Sequence, residues 1–412
     1  MISRREMLAG STAAAIMPFA VQAATDNSPF DPSSPLPHKD AFFPFEGTYL
    51  NSASQHPLSH AARRAVDIYL DYKQFSGPTE FSAGTIRQRV LENYAKLINA
   101  DPDEICFVQS TTVGENLLLQ ALGIPEVGGK IITDELHFVG SFPTYTELGK
   151  RGMDVVTIRA SEDGVIDLEK YEKAINAETR LIAISLVSML NGFQHDLKSL
   201  CEIAHANGAL VYADTVQAAG AVPIDVRASG VDFTSAAGYK WLMGDMGLGF
   251  MSVRKDRQGI LRRPQYGHNQ LASRQHFGFP NPRGEGEITE YEYLDSALGY
   301  FAMGTQARIV AMQLNASLEY LLRVGVGNIQ AYRQPLVDYL QGELPSMGYA
   351  PITPRDAGSS IVSFRHRGNP QAMRNHLREQ NITITVSEHY FRVALSVFND
   401  MSDVERLVRA LT

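Results

Sequence analysis

The chain has 412 residues, of which 44% are hydrophobic and 20% are charged, and its formal net charge at pH 7 is −8. A chain of this length exceeds one ordinary hydrophobic core, so two domains are expected. The composition is that of a globular enzyme and excludes a fibrous or disordered protein, and the negative charge argues against nucleic acid and anionic membrane surfaces as partners.

The first segment has the pattern of an export signal. Ser3–Leu8 reads SRREML, a twin-arginine motif, and Leu8–Ala20 is apolar, rich in small residues and short for a membrane span. Val21–Ala23 offers small residues to a signal peptidase. We therefore predict a twin-arginine (Tat) signal peptide over residues 1–23, an N-terminal arm over 24–48, and a periplasmic protein without stable membrane insertion. The alternative is a cytoplasmic protein with a chance Arg-Arg pair.

After Tyr49 short apolar runs alternate with helical patterns. One predicted helix, Asp196–Ala206, begins with a carboxylate and ends before Asn207-Gly208. The alternation predicts an α/β fold with a large, mostly parallel sheet that carries helices on both faces. The predicted strands are Ile105–Val108, Lys130–Thr133, Asp154–Ile158, Leu181–Leu186, Ala209–Ala213, Asp232–Ala236 and Leu248–Val253.

From about Gly304 the pattern changes. A long amphipathic helix, two strands and a closing helix are predicted, which together form a smaller α/β domain over residues 304–412 after a large domain over 49–303. These elements are Gln306–Arg323, Ser360–Phe364, Phe391–Phe398 and Asp403–Leu411.

Cys106 and Cys201 are the only cysteines. One lies in a strand-like run and the other in a helical pattern, so buried structural thiols are expected. The alternative, in an oxidising compartment, is a disulfide between them. No metal-ligand spacing is present.

Two charged residues follow predicted buried strands. Asp214 ends the run Ala209–Ala213, and Lys240 follows it by 26 positions, in an apolar stretch between Tyr239 and Trp241. A lysine amine forms an imine with the aldehyde of pyridoxal phosphate, and a carboxylate keeps the pyridine nitrogen of that cofactor protonated. The pair therefore indicates a pyridoxal phosphate site. The alternatives are a lysine that reaches water from an interface and an aspartate that caps a turn.

Three further features fit the same ligand. Ser110-Thr111-Thr112 follows a strand and opens a helix, which suits a phosphate, although plain N-capping by Ser or Thr is common. Gln217, three residues after Asp214, is placed to bond the phenolic oxygen of the cofactor. Arg392 points away from the apolar face of its strand and could bind a carboxylate with two nitrogens; a surface ion pair is the alternative.

The order of these motifs resembles the class V aminotransferases of pyridoxal phosphate fold type I, from about Tyr49 to the C-terminus. The resemblance implies that Lys240 is the Schiff-base lysine, Asp214 and Gln217 bind the ring, and Thr111 and Thr112 bind the phosphate. It also implies that His137 or its neighbour Phe138 stacks on the ring, that Tyr239 contacts the phosphate and that Arg392 binds the α-carboxylate of the substrate. Thr305 would contact the cofactor of the neighbouring subunit, which implies an obligate homodimer with shared active sites.

The chain also departs from the best-known branch of that family. Cysteine desulfurases carry a catalytic cysteine on a loop that corresponds to Thr385–Tyr390, where this chain has none, so persulfide chemistry is not expected. Tyr239-Lys240 is more similar to the kynureninase and isopenicillin N epimerase-like branches. An asparagine that some members use to contact the ring oxygen aligns with Met189, two places from Asn191.

The expected function is that of a periplasmic enzyme acting on an amino acid, or on an amino-acid residue of a peptidic metabolite, through an external aldimine and a carbanion. The leader, together with Leu190-Asn191-Gly192-Phe193-Gln194 and Tyr239-Lys240-Trp241-Leu242, most resembles the periplasmic pyridoxal phosphate enzymes that tailor pyoverdine siderophores. The alternatives are a racemase or epimerase, which needs a second base such as His137 or Tyr239, and a non-catalytic protein that binds the cofactor.

Overall fold

The computed structural model describes residues 31, 33–42, 45–76, 83–281 and 286–412. The predicted Tat segment lies outside these residues, as does part of the predicted arm. No helix in the described part of the chain is both long enough and apolar enough to cross a membrane.

The core element is a seven-stranded sheet in the order β2-β8-β7-β6-β5-β3-β4. Only β8 runs antiparallel to its neighbours. The four central strands are buried almost throughout, which explains why they read as continuous apolar runs. The strands are β2 Ile105–Val108, β3 Lys130–Asp134, β4 Asp154–Ile158, β5 Thr179–Ser185, β6 Leu210–Asp214, β7 Phe233–Ala237 and β8 Gly249–Val253.

Helices cover this sheet. Polar side chains fix where several of them begin: Ser59, Ser110, Asp196 and Asp225 each accept a hydrogen bond from a backbone N–H in the first turn. The helices are α1 His60–Asp71, continued by a π-helical turn at Tyr72–Ser76, α2 Ala83–Ile98, α3 Thr111–Ala121, α4 Phe142–Lys150, α5 Leu168–Ala174, α6 Leu197–Ala206, α7 Val226–Ser229 and α8 Lys255–Gln258. The predicted strand and helix positions in this part of the chain are confirmed to within two residues.

The C-terminal part is a second α/β layer. Its three-stranded antiparallel sheet has the order β11-β14-β13. The N-terminal strand β1 pairs in parallel with β12, so the start of the described chain is tied to this layer. The remaining strands and α-helices of the described chain are β1 Thr48–Tyr49, β9 Leu271–His276, β10 Thr289–Tyr293, α9 Ala297–Phe301, α10 Arg308–Val324, α11 Val326–Glu343, β11 Ile361–Arg365, α12 Pro370–Glu379, β12 Ile382–Thr383, β13 Thr385–Val386, β14 Tyr390–Ala394 and α13 Met401–Leu411.

Two details differ from the sequence pattern. The strand predicted as Phe391–Phe398 ends at Ala394, because Ser396 donates its backbone N–H to the Asn399 side chain and the chain leaves the sheet. Helix α10 starts after the predicted boundary at residue 304, yet its buried face belongs to the hydrophobic core of the large sheet. The domain boundary itself stays a prediction.

Candidate active site

The predicted site lies where parallel strands end together. The register pairs Ser185 at the end of β5 with Asp214 at the end of β6, and Asp214 with Ser235 near the end of β7. In sheets of this kind ligands bind beyond the carboxyl ends of the strands. Lys240 follows β7 by a short turn, so the strand order brings the predicted lysine and carboxylate to one edge.

Lys240 is 7% exposed, although lysine is among the residue types least often buried. Burial lowers the pKa of its amine to about 8; the charge of Asp214 acts in the opposite direction, and that of Arg392 lowers the pKa further. The turn that holds it requires Gly238, because a Cβ there would lie 2.7 Å from the Leu248 carbonyl oxygen. The predicted lysine is therefore a buried amine that is easily deprotonated.

Asp214 is buried at the end of β6, and its Oδ1 accepts a hydrogen bond from the Val216 N–H at 2.8 Å. Burial raises the pKa of its carboxyl to about 6, while the charge of His137 and the Val216 hydrogen bond hold it down. The carboxylate is thus mostly ionised at pH 7, the state in which it can pair with a protonated pyridine nitrogen.

The predicted phosphate segment opens α3. Ser110 caps the helix through a hydrogen bond from the Val113 N–H to its Oγ at 3.2 Å. The N–H groups of Thr111 and Thr112 have no acceptor inside the helix, as at every helix start. Gly114 packs this turn against β7, since a Cβ there would lie 3.2 Å from the Ser235 Oγ. The helix start therefore faces the strand that leads to Lys240 and suits an anion.

Gln217 is buried, and part of its amide is already in use. Its Oε1 accepts a hydrogen bond from the Trp241 indole N–H at 2.8 Å, and its Nε2 donates to the Ala53 carbonyl at 3.2 Å. One N–H of the amide remains for a ligand. Because Trp241 follows Lys240 in the chain, this contact also ties the predicted lysine turn to β6.

His137 is completely buried, with its Nδ1 3.0 Å from the Ser185 Oγ and its Nε2 3.2 Å from a Glu115 carboxylate oxygen. Ser185 pairs with Asp214 in the strand register, so the His137 ring bonded to Ser185 lies at the same edge of the sheet. Phe138, the alternative stacking residue, is half-buried, and its ring lies over Gly140. Which of the two rings would stack on the cofactor stays a prediction.

Arg392 reaches the site from β14 and is 3% exposed. Its Nη1 donates to the Met189 carbonyl at 2.9 Å, and its Nη2 donates to the hydroxyls of Ser54 at 2.8 Å and Thr385 at 3.2 Å. Its Nε has no hydrogen-bond partner. Within the described ranges no acidic side chain forms an ion pair with it. A buried guanidinium with a free N–H and no counter-ion is suited to an incoming carboxylate.

Tyr239 borders this cluster, and Thr305 stands apart from it. Tyr239 is half-buried, with its ring centroid 5.6 Å from the Lys240 Nζ. Thr305 is exposed and lines a separate cavity of about 270 Å³ with Arg87, His268 and Arg308. One copy of the chain thus does not bring Thr305 to Lys240, and its predicted role requires a second copy.

The residues that sequence reasoning missed are mostly hydrogen-bond partners: Glu115, Ser141, Tyr145, Ser185 and Ser54. Glu115 alone gave a signal, as the only charged residue of Thr111–Ala121. Asn191 does not replace the asparagine missing at Met189, because its Nδ2 donates to the carbonyls of Gly164 and Ile352.

The two cysteines are free and buried, so they are not paired with each other. Burial raises the pKa of both thiols, that of Cys201 to about 12. Across the described ranges no group of three or more His, Cys, Asp and Glu side chains is arranged to hold a metal ion.

The donor set agrees with pyridoxal phosphate: a deprotonatable amine, an ionised carboxylate and a helix start lie at one edge of the large sheet, and a buried guanidinium without a counter-ion approaches the amine from β14. The orphaned Arg392 Nε is the most direct sign that a polar ligand belongs there.

Comparisons with known proteins agree with this geometry. The Aminotransferase class-V family model matches residues 76–410. A probable cysteine desulfurase of Methanothermobacter thermautotrophicus is 27% identical over 380 residues, which cover 84% of this chain and 91% of that protein. The solved structure of a cysteine desulfurase of Escherichia coli superposes with a TM-score of 0.79 at 20% identity, covering 92% of this chain and 97% of that one. The structure of a cystine C-S lyase in complex with its reaction product cysteine persulfide superposes with a TM-score of 0.77 at 18% identity, covering 89% of this chain and 97% of that one. These structural likenesses confirm the predicted fold class.

Proposed function

The chain belongs to the class V aminotransferase family of pyridoxal phosphate enzymes, and from that premise we propose that it acts on an amino acid, or on an amino-acid residue of a peptidic metabolite such as a siderophore, in the periplasm. The observation that supports this most is the buried set of Lys240, Asp214 and Arg392. It combines an amine for the cofactor, a carboxylate for its ring nitrogen and a cation for the substrate.

The residues that would hold the cofactor follow from the contacts above. Lys240 would bind it covalently, Asp214 would hold its ring nitrogen, and Thr111 and Thr112 would contact its phosphate at the start of α3. His137, Gln217 and Tyr239 would complete the first layer of contacts. When bound, pyridoxal phosphate supplies an electron sink for the negative charge that develops at the substrate Cα.

Lys240 is also the group proposed to move the Cα proton. Its pKa of about 8 means that an appreciable fraction of the amine is unprotonated near neutral pH. A base works best when its pKa lies near the operating pH. Asp214 is mostly ionised under the same conditions and would hold the proton on the ring nitrogen of a bound cofactor.

Arg392 is proposed to bind the substrate carboxylate. The hydroxyls of Ser54 and Thr385 contact its Nη2 now and are neutral acceptors. A carboxylate that replaces them gains charge-assisted hydrogen bonds, which are stronger than bonds to neutral groups. This favours substrates with a free carboxylate beside the reacting amine.

The protein's own persulfide chemistry is not part of the proposal. Both thiols are buried with raised pKa values, and neither lies in the Thr385–Tyr390 segment. The relatives named cysteine desulfurases therefore support the cofactor and the fold, and not the use of cysteine as substrate.

Export by the twin-arginine route and a homodimer with shared sites complete the proposal. The Ser3–Leu8 motif supports the first. The exposed position of Thr305, away from Lys240 in the same chain, supports the second. A second reading, epimerisation, is favoured by one observation: His137 is a second titratable group at the same edge as Lys240.

One experiment separates these functions. The purified protein is loaded with pyridoxal phosphate, reduced with borohydride, digested and analysed by mass spectrometry; we expect the cofactor mass on the Lys240 peptide. Amino acids and peptides are then supplied in deuterated water. Net conversion supports the leading function, and Cα deuteration without net conversion supports an epimerase. Cofactor on Lys240 with neither result indicates a binding protein, and no adduct at Lys240 contradicts the whole assignment.

A further inference from the structure

Glu115 is a buried carboxylate that the proposed function does not use. It lies on α3, four residues after Thr111, and is 3% exposed. Ser141 donates to its Oε2 at 2.6 Å, and Tyr145 donates to its Oε1, to which the His137 Nε2 also comes within 3.2 Å. Burying a carboxylate costs desolvation free energy even when three donors surround it, so a role for Glu115 is expected.

The hydrogen bonds fix the proton on one nitrogen of His137. A carboxylate only accepts, and Tyr145 and Ser141 both donate to it, so the Nε2 that faces Glu115 carries hydrogen. The other nitrogen, Nδ1, faces the Ser185 Oγ, which also accepts from the Phe138 N–H at 3.1 Å. A hydroxyl oxygen can accept twice. The contacts at both ring nitrogens therefore accommodate a doubly protonated ring, in which Nδ1 donates to the Ser185 hydroxyl.

The charges around the ring decide between the neutral and the charged form. Three carboxylates act on the ring: Glu115 on α3, Asp214 on β6 and Asp134 on β3. Its other neighbours, Tyr145 on α4 and Ser185 on β5, are neutral. Burial lowers the pKa of His137, but the hydrogen bond and charge of Glu115, followed by Asp214 and Asp134, outweigh it and raise the pKa. The same contacts outweigh burial at Glu115 and lower the pKa of its carboxyl.

We propose that Glu115 is a positioning residue that keeps His137 doubly protonated and fixed beside Asp214. The site then contains a cationic proton donor, separate from Lys240, before any ligand enters. Its charge holds Asp214 ionised, and its proton is available to a bound substrate. The use of that proton rests on the proposed function, but the charge of the ring does not.

The test uses full-length protein without cofactor, labelled with ¹⁵N in histidine. Two-dimensional NMR through the ring bonds reports the charge and tautomer of each histidine between pH 5.5 and 9, and His137→Gln identifies the signals of His137. In the wild type we expect an imidazolium at pH 7. In Glu115→Gln we expect its titration midpoint to fall by about 1–2 pH units.

Controls keep the inference falsifiable if Glu115→Gln does not fold. Ser141→Ala and Tyr145→Phe each remove one donor from the carboxylate and leave its charge, so His137 should stay protonated at pH 7. A neutral His137 in the wild type at pH 7, or an unchanged midpoint in folded Glu115→Gln, would overturn the inference. Because no cofactor is present, neither result depends on the assignment of Lys240.

Discussion

Lys240 and Asp214 lie at the ends of neighbouring parallel strands, β7 and β6, and each changes the other's protonation. The negative charge of Asp214 raises the pKa of the Lys240 amine, and the amine lowers the pKa of the Asp214 carboxyl. Burial dominates at both, so the amine titrates near 8 and the carboxyl near 6. Between these values both groups are charged, and above 8 the amine is mostly unprotonated and free to react.

Replacing Lys240 with Met should stabilise the cofactor-free protein at pH 7. The amine has a pKa of about 8 when folded and 10.5 as a reference value, so the unfolded chain binds its proton more tightly. Keeping this amine protonated in the folded wild type costs roughly 3 kcal/mol of unfolding free energy at most. The cost is fully present below pH 8 and disappears as the pH rises to about 10.5. Urea unfolding at pH 7 and at the highest pH the fold tolerates measures the difference.

The same substitution should abolish covalent binding of pyridoxal phosphate and its visible absorbance. Lys198→Met is a matched control, because that lysine is exposed on α6, and it should change neither property. Equal stability of wild type and Lys240→Met at pH 7 would contradict the depressed pKa.

Asp214→Asn should shift the reactivity of Lys240 to lower pH. Removing the negative charge removes the interaction that favours the protonated amine, so the pKa of Lys240 falls below 8. The rate at which the cofactor-free protein reacts with pyridoxal phosphate, followed by absorbance from pH 6 to 9, should then reach its plateau at lower pH. Turnover should nevertheless fall by a factor on the order of a hundred or more, because the ring nitrogen loses its partner. A variant with full turnover would rule out the assigned role.

Arg392→Gln should weaken the binding of amino acids without weakening that of the matching amines. Hydrogen bonds to charged groups contribute about 1.5–3 kcal/mol, which corresponds to roughly a 10- to 100-fold increase in Kd for a carboxylate ligand. The measurement is the concentration dependence of the absorbance change of the loaded enzyme with each ligand pair. Arg365→Gln, an exposed arginine on neighbouring β11, is the control and should behave as wild type. Equal losses for acid and amine would contradict carboxylate binding.

Cys106 and Cys201 should be inert in the folded protein. Both are buried, and burial raises the pKa of both thiols, so little thiolate forms at pH 8. We expect iodoacetamide to label neither within an hour at pH 8, and both after denaturation. After incubation of the loaded enzyme with L-cysteine, mass spectrometry should find no added sulfur on either residue. A persulfide on one of them would restore the desulfurase mechanism.

Replacing Arg4 and Arg5 together with Lys should prevent export. The twin-arginine pair is the feature of the Ser3–Leu8 motif on which the localisation prediction rests. Cell fractionation should find the wild type in the periplasm, shortened by about 23 residues, and the variant full-length in the cytoplasm. Ser3→Ala is the control and should be exported. Wild-type protein that stays full-length in the cytoplasm would refute the leader.

The sequence by itself determined the strands, their helices and the ends at which Lys240 and Asp214 lie. Those features depend on local periodicity, which can be read from the sequence, and on the general rule that the carboxyl ends of parallel strands meet at one edge of the sheet. The unpaired state of Arg392 and the Glu115–His137 contact were decided only by the tertiary structure. Arg392 meets Met189 and Ser54, which are hundreds of residues away in the chain, and no local pattern encodes which distant groups share a buried site. The charge of a buried group depends on those distant neighbours, because burial and opposite charges nearby shift the pKa of that group in opposite directions.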